Sequence, residues 1–208
     1  MAARDFFLPD AKKRVASAIE AIEKQTAAEI VVAVRRRSGH YRHVDLAFGA
    51  ALALGALLFV LFHPQPFATE MIPVDVAIAF VVGVLVCANV PPMRRLLVSK
   101  RLMNEGVRTA ARAAFYDMGI ARTTGRTGIL VLVSTFERKV EIVPDRAVKP
   151  AELGAEWPRA VAAIEASVRR ADLDAFLAAL VTIAPPLAAA LPVQPDDVDE
   201  LPNEPVIS

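Results

Sequence analysis

Glu29, Glu137, Glu141 and Asp145, interleaved with Arg122, Arg126, Arg138 and Arg146, are the residues of this 208-residue chain whose types could do chemistry. Phosphoryl transfer needs a nucleophile or a metal-bound water, together with cations that stabilise charge on the transferring group. The arginines meet the second need. For the first, Asp145 is the candidate, since it is the carboxylate at a strand exit, although capping turn amides or pairing with Arg146 or Lys149 is the commoner role for such a residue. No catalytic residue is assigned beyond that candidate. Glu29, Arg126, Arg138 and Arg146 are expected to form an ion-pair or polar cluster, with Glu29 at the mouth of a strand either as an arginine's partner or as a general base. Glu137 and Glu141, four residues apart across a turn, read as a solvated edge. His40 and His43 stand three apart without a third ligand at metal spacing, and with His63 they read as interfacial residues, so no metal site is expected. Cys87 is the only cysteine, which excludes a disulfide within the chain and a thiolate metal site. Gly125-Arg126-Thr127-Gly128 is too short for a phosphate loop and reads as a turn into a strand. HExxH, GxSxG and dinucleotide fingerprints are missing, so the common hydrolase and oxidoreductase classes lose support.

The elements that must position these residues fall on either side of a long apolar region. Apolar residues make up 55% of the chain, and the mean hydropathy of +0.41 is high for a soluble domain. The excess is concentrated in two charge-free stretches, Leu46–Phe62 and Val76–Val90, each near the length that spans a hydrocarbon core of about 30 Å as a helix. Neither shows the polar stripe of a helix in a soluble core. Residues 44–92 are therefore read as a transmembrane helical hairpin. Pro73 suits the first turn of the second helix, with Asp75 near its positive end, and Pro91-Pro92 is expected to stop it. Gly49 with Ala53, and Ala51 with Gly55, could let helices approach closely. Arg35, Arg36, Arg37 and Arg42 precede the first span, Arg94, Arg95, Lys100 and Arg101 follow the second, and the loop 63–73 carries neither Lys nor Arg. This bias predicts an integral protein of the bacterial inner membrane with both termini cytoplasmic and a short external loop. The flanking arginines are expected to face lipid headgroups. No removable signal peptide is evident.

Residues 1–43 and 93–191 then form one interrupted α/β domain. Val15, Ala18, Ile19 and Ile22 recur at helical spacing within Asp10–Gln25, and Ala28–Val34 reads as a strand buried on both faces. A second helix runs over Val98–Met118 and ends at Gly119 as a C-cap. Gly128–Ser134 and Lys139–Val143 predict an antiparallel strand pair, the first central and the second nearer an edge. Trp157–Arg170 predicts a third helix. Asp172 is expected to cap a fourth that runs from Leu173 to about Ala184, where Pro185-Pro186 interrupts it. Phe176–Leu191 is charge-free enough to raise the question of a third span, but its internal proline pair and missing basic flank favour burial against the sheet. Residues 192–208 read as an extended acidic, Pro-rich tail, in which Asp196, Asp197, Asp199 and Glu200 lack the pattern of an EF-hand.

Three segments in this order resemble the TPM domain in its bacterial membrane-anchored form. They are Ile22-Glu23-Lys24-Gln25-Thr26-Ala27-Ala28-Glu29-Ile30-Val31-Val32, then Arg126 to Ser134 with Glu137 to Arg146, then Asp196 to Pro202. The resemblance implies an α/β/α sandwich interrupted by a transmembrane hairpin. It also implies a kinship with thylakoid proteins described as acid phosphatases and, through that family alone, calcium or magnesium as cofactor. The chain departs from the extracytoplasmic relatives in having Asp145-Arg146-Ala147 where they keep a glycine-rich turn. The expected function is a non-enzymatic adaptor or scaffold for membrane or envelope proteins, working from the bilayer through the Lys139–Val143 edge or the tail. The alternatives are a metal-assisted phosphomonoesterase and anionic-lipid surface binding. A net charge of +1 offers no basis for a nucleic-acid partner, and no small-molecule substrate is identified.

Overall fold

The computed structural model describes residues 2–64, 67–193, 200–202 and 204–208. Its elements, in chain order, are α1 (Ala2–Asp5), α2 (Pro9–Glu23), β1 (Ile30–Arg35), α3 (Arg42–Phe62), α4 (Ile72–Asn89), α5 (Pro91–Leu97), α6 (Lys100–Asp117), β2 (Ile129–Ser134), β3 (Lys139–Pro144), α7 (Glu156–Arg170), α8 (Leu173–Val181), α9 (Ala184–Ala190) and β4 (Val206–Ile207). They divide into an α/β unit, Met1–Ser38 with Asn104–Ser208, and a helical unit, Gly39–Met103.

The α/β unit is built on a mixed sheet of order β3-β2-β1-β4. β1 pairs in parallel with β2, Ile30 opposite Ile129, and β2 pairs antiparallel with β3, Ser134 opposite Lys139. Because side chains alternate along a strand, β1 and β2 feed two cores. Ile30, Val32, Val34, Ile129, Val131 and Val133 pack with α2, α7, α8 and α9. Val31, Ala33, Leu130 and Leu132 pack on the other face with Val107, Ala111, Ala114 and Phe115 of α6. Helices therefore cover both faces, which is why the two inner strands are apolar throughout. β3 lies at an edge and is half-buried along its length, as its alternating sequence predicts.

The helix ends follow local chemistry. Gly119 adopts φ 71° just past α6, and Asp172 Oδ1 accepts the Ala175 N–H at 2.9 Å at the start of α8. Two expectations about proline and the tail are corrected. Pro185-Pro186 starts α9 instead of merely ending a helix, since a first-turn proline loses no intrahelical bond. The tail is extended but not free throughout: Val206–Ile207 adds to β1 in parallel, Ala33 opposite Val206, where β1 would otherwise present unpaired backbone groups. Asp196, Asp197 and Asp199 lie outside the described residues.

In the helical unit, α3 and α4 form an antiparallel pair that meets at Gly49 and Gly83. A Cβ on Gly83 would lie 2.8 Å from the Gly49 Cα, so only glycine permits this approach. Gly55, singled out with Ala51, has nothing within 4 Å of a Cβ built on it. Pro91-Pro92 again initiates a helix, α5, instead of simply terminating α4. Three stretches are long and apolar enough to cross a membrane: Arg42–Phe62, Ile72–Asn89 and Leu173–Ala190. The first two are 11% buried and the third 44% buried, with Phe176, Leu180, Ile183 and Leu187 wholly inside the sheet's core. Burial therefore accounts for the third stretch.

Candidate functional site

Glu29, Arg126, Asp145 and Arg146 gather at one end of the sheet, where β1 and β2 begin and β3 ends. Gly128 makes this gathering possible: a Cβ there would lie 2.5 Å from Ile120 Cγ2, so the chain passes under Ile120 only as glycine. The Asp145 N–H then donates to the Gly128 carbonyl at 2.8 Å, which extends the β2–β3 ladder by one residue. Asp145 is buried. Its Oδ1 accepts the Arg146 N–H at 2.8 Å, while Oδ2 lies 3.8 Å from Arg126 Nη1 and makes no hydrogen bond. Arg126 sits at φ 55°, and its guanidinium also donates to the Ala121 carbonyl. The result is a turn closed by a carboxylate with one oxygen left over.

Glu29, also buried, serves the tail. Its two oxygens accept the N–H groups of Glu200 at 3.3 Å and Leu201 at 3.2 Å, and the Glu200 carboxylate accepts the Thr124 N–H at 3.0 Å. Farther along, the Ser208 N–H donates to the Val34 carbonyl at 2.9 Å, and Lys12 Nζ meets Glu204 Oε2 at 2.6 Å. That ammonium holds the Glu204 carboxyl below the ordinary glutamate range.

Arg138 does not join this cluster. It precedes β3 at the opposite end of the sheet, because the β2–β3 pair is antiparallel and its turn lies a full strand away from Asp145. Glu137, in the same turn, is not a solvated residue: it is 4% exposed. Glu137 Oε2 accepts from Ser134 Oγ at 2.5 Å, Oε1 accepts the Ser38 N–H at 3.0 Å, and the two serine hydroxyls lie 2.7 Å apart. The carboxylate turns inward because the ends of β1 and β2 leave these donors with no ladder partner. The signal was present in Ser134, the one polar residue on a strand buried throughout, with an acid three positions on. Glu141 is half-buried, 3.5 Å from Arg108 Nε.

The basic residues around the helices are placed unequally. Arg37 and Arg42 are exposed, and Arg36, also exposed, lies over the Phe7 ring at 5.1 Å. Arg35 and Arg95 are half-buried. Arg94 departs from its expected lipid-facing position: it is 7% exposed and its Nη2 meets Asp45 Oδ2 at 2.5 Å. Asp45, in the first turn of α3, is 5% exposed, so burial of either charge requires the other. Sequence reading missed Asp45, although an acid at the head of an apolar span is a signal in itself. His40, ahead of α3, and His43, in its first turn, are both exposed. Among the described residues no three His, Cys, Asp or Glu side chains converge in a way that could hold a metal ion.

No family model matches the chain, and no curated protein matches it. Among solved structures it is similar to the NMR structure of BA42 protein from the psychrophilic bacterium Bizionia argentinensis sp. nov.. The two share 16% identity over 97% of this chain and 94% of that one, with a TM-score of 0.56. At that identity the likeness is one of fold.

Proposed function

We propose that the protein is a membrane-anchored adaptor of the TPM type, an α/β/α sandwich tied to the inner membrane by the α3–α4 hairpin with both termini cytoplasmic. The observation that carries the reading is the outer surface of that hairpin. Leu54, Phe59, Phe62, Ile78 and Leu85 are each more than half exposed on helices that have no polar face, an arrangement suited to lipid and costly in water. The arginine bias across residues 35–42 and 94–95 supports the orientation. Adaptor activity is assigned to the free edge of β3, where an added strand can pair, because the opposite edge is already occupied by β4.

A topology assay with one reporter at the C-terminus and another after Thr69 tests the anchor. A cytoplasmic C-terminus with an external loop is the expected result; an external C-terminus removes the reading. For the adaptor role, photocrosslinkers at alternate β3 positions should capture one partner from intact membranes. Equal capture from exposed positions on α2 would refute edge recognition.

A phosphomonoesterase is the second reading, favoured by the buried, unbonded Asp145 Oδ2 beside Arg126. The described residues do not fit the calcium or magnesium that the TPM resemblance implies, since Asp145 has no converging carboxylates. Turnover of a generic phosphate ester by the wild type, lost in a folded Asp145→Asn, is what this reading requires. A wild type inactive with and without Mg²⁺, Mn²⁺ or Ca²⁺ eliminates it.

A further inference from the structure

The end of the sheet away from Asp145 opens into a cleft of about 220 Å³ between α6, the β2–β3 turn and α7. Arg108 enters from α6, Arg138 and Lys139 from the turn and the start of β3, and Arg169 from the last turn of α7. Glu141 and Glu165 also line it. Four cations against two carboxylates leave a surplus of two positive charges. Arg108 meets Glu141 through a single long contact of 3.5 Å, and Arg138, Lys139 and Arg169 make no ion pair among the described residues. Surface arginines usually disperse or pair; here four basic side chains from three elements share one small concavity.

A second observation is independent of the charge count. Arg138 holds φ 53°, a left-handed conformation in which glycine or asparagine is favoured and a long side chain costs strain. The bonds that Ser134 and Ser38 donate to Glu137, the residue before it, make no use of the Arg138 side chain. An observed strained residue whose side chain lines a charged cleft points to function.

We propose that this cleft binds a phosphomonoester group, with Arg108, Arg138, Lys139 and Arg169 surrounding the dianion. Three guanidinium forks suit an anion with several oxygens around one centre better than a single carboxylate, and a dianion balances the surplus of two charges. The role assigned to the site is to hold the group; Asp145, the candidate for transforming a phosphate ester, lies at the far end of β3. It does not depend on the adaptor or the phosphatase reading, although Lys139, Val140 and Glu141 at the start of β3 line both the cleft and the strand edge.

The phosphate can be carried by a soluble ester or by a lipid headgroup, and calorimetry on the full chain in neutral detergent separates the two. The probes are inorganic phosphate, glycerol phosphate and dihexanoyl phosphatidic acid, with dihexanoyl phosphatidylcholine as the neutral control. Saturable binding is expected for the phosphomonoesters, falling about tenfold in Arg138→Gly and in Arg169→Gln. Arg138→Gly is chosen because glycine accepts φ 53° without strain, so the variant should melt no lower than wild type while losing affinity. Arg159→Gln removes a cation from α7 outside the cleft and should bind as wild type does. Tighter binding of phosphatidic acid than of glycerol phosphate identifies a lipid source, and equal binding identifies a soluble one. Absence of binding in all arms, or an equal loss in Arg159→Gln, overturns the proposal.

Discussion

Replacing Asp45 by leucine removes one member of a pair whose other member cannot leave. Arg94 is 7% exposed, and its Nη2 lies 2.5 Å from Asp45 Oδ2. With charge centres about 4 Å apart and an effective dielectric of about 20, the attraction is on the order of 4 kcal/mol. Loss of one partner from such a buried pair costs about 3–5 kcal/mol, because the remaining charge must stay buried unpaired or the segment must open. Replacing both by apolar residues of similar size, Asp45→Leu with Arg94→Met, should restore most of that loss. Cys87 supplies the assay: it is the only cysteine and is fully buried in the same helical unit, so its labelling by a thiol reagent requires opening. A loss of about 3 kcal/mol corresponds to labelling roughly 100-fold faster in Asp45→Leu, with the double variant near wild type. Asn at position 45, which still accepts a hydrogen bond, should fall between. If Asp45→Leu labels within about threefold of wild type, or the double variant labels faster than either single one, the pair does not hold this unit together.

Gly83→Leu should separate α3 from α4 and lower stability in detergent by about 1–3 kcal/mol, whereas Gly55→Leu should change nothing measurable in the melting temperature. Glu137→Ala leaves the Ser38 N–H and Ser134 hydroxyl short of an acceptor and should cost about 2–4 kcal/mol in chemical denaturation; Glu141→Ala should stay within about 0.5 kcal/mol. Because the folded carboxyl of Glu204 titrates below its unfolded value, its bond to Lys12 supports the tail above the ordinary glutamate range. That support fades as pH falls through the lowered folded value. A fall in the protection factor of the Ser208 amide on acidification, taken against its intrinsic exchange rate and abolished in Lys12→Ala, is the expected signature.

The local pattern carried most of the architecture. Short runs of apolar residues located β1 and β2, alternation located β3, the 3.6-residue period located α2 and α6, and Gly119 and Asp172 marked helix ends because each acts on its own neighbours. What escaped was set by contacts distant in sequence. Val206–Ile207 is too short to announce a strand and becomes one only because β1 offers an edge. Glu137 and Glu141 look alike in a row of charged residues, yet one satisfies buried serines and the other faces a cleft. Arg94 looks like its neighbours in sequence, but Asp45, on another helix, buries it. Pro91 and Pro185 read as stops because a proline's incompatibility with a preceding helix is visible locally, whereas its fitness to begin the next depends on the residues beyond it.

The sheet also imposes a parity rule on any insertion of this chain into a bilayer. Residues 30–35 are hydrogen-bonded to residues 129–134 and to residues 206–207, so all three segments must lie on one side. The number of crossings between the first and second must be even, and so must the number between the second and third. Two spans in the α3–α4 hairpin satisfy the rule; a single span, or a lone crossing by Leu173–Ala190, breaks it. A variant that inserts one helix and leaves the other behind would strand β2 across the membrane from β1 and lose the whole α/β unit. In a chain so inserted, pairing of the four short strands would turn a topological error into an unfolded domain open to proteolysis.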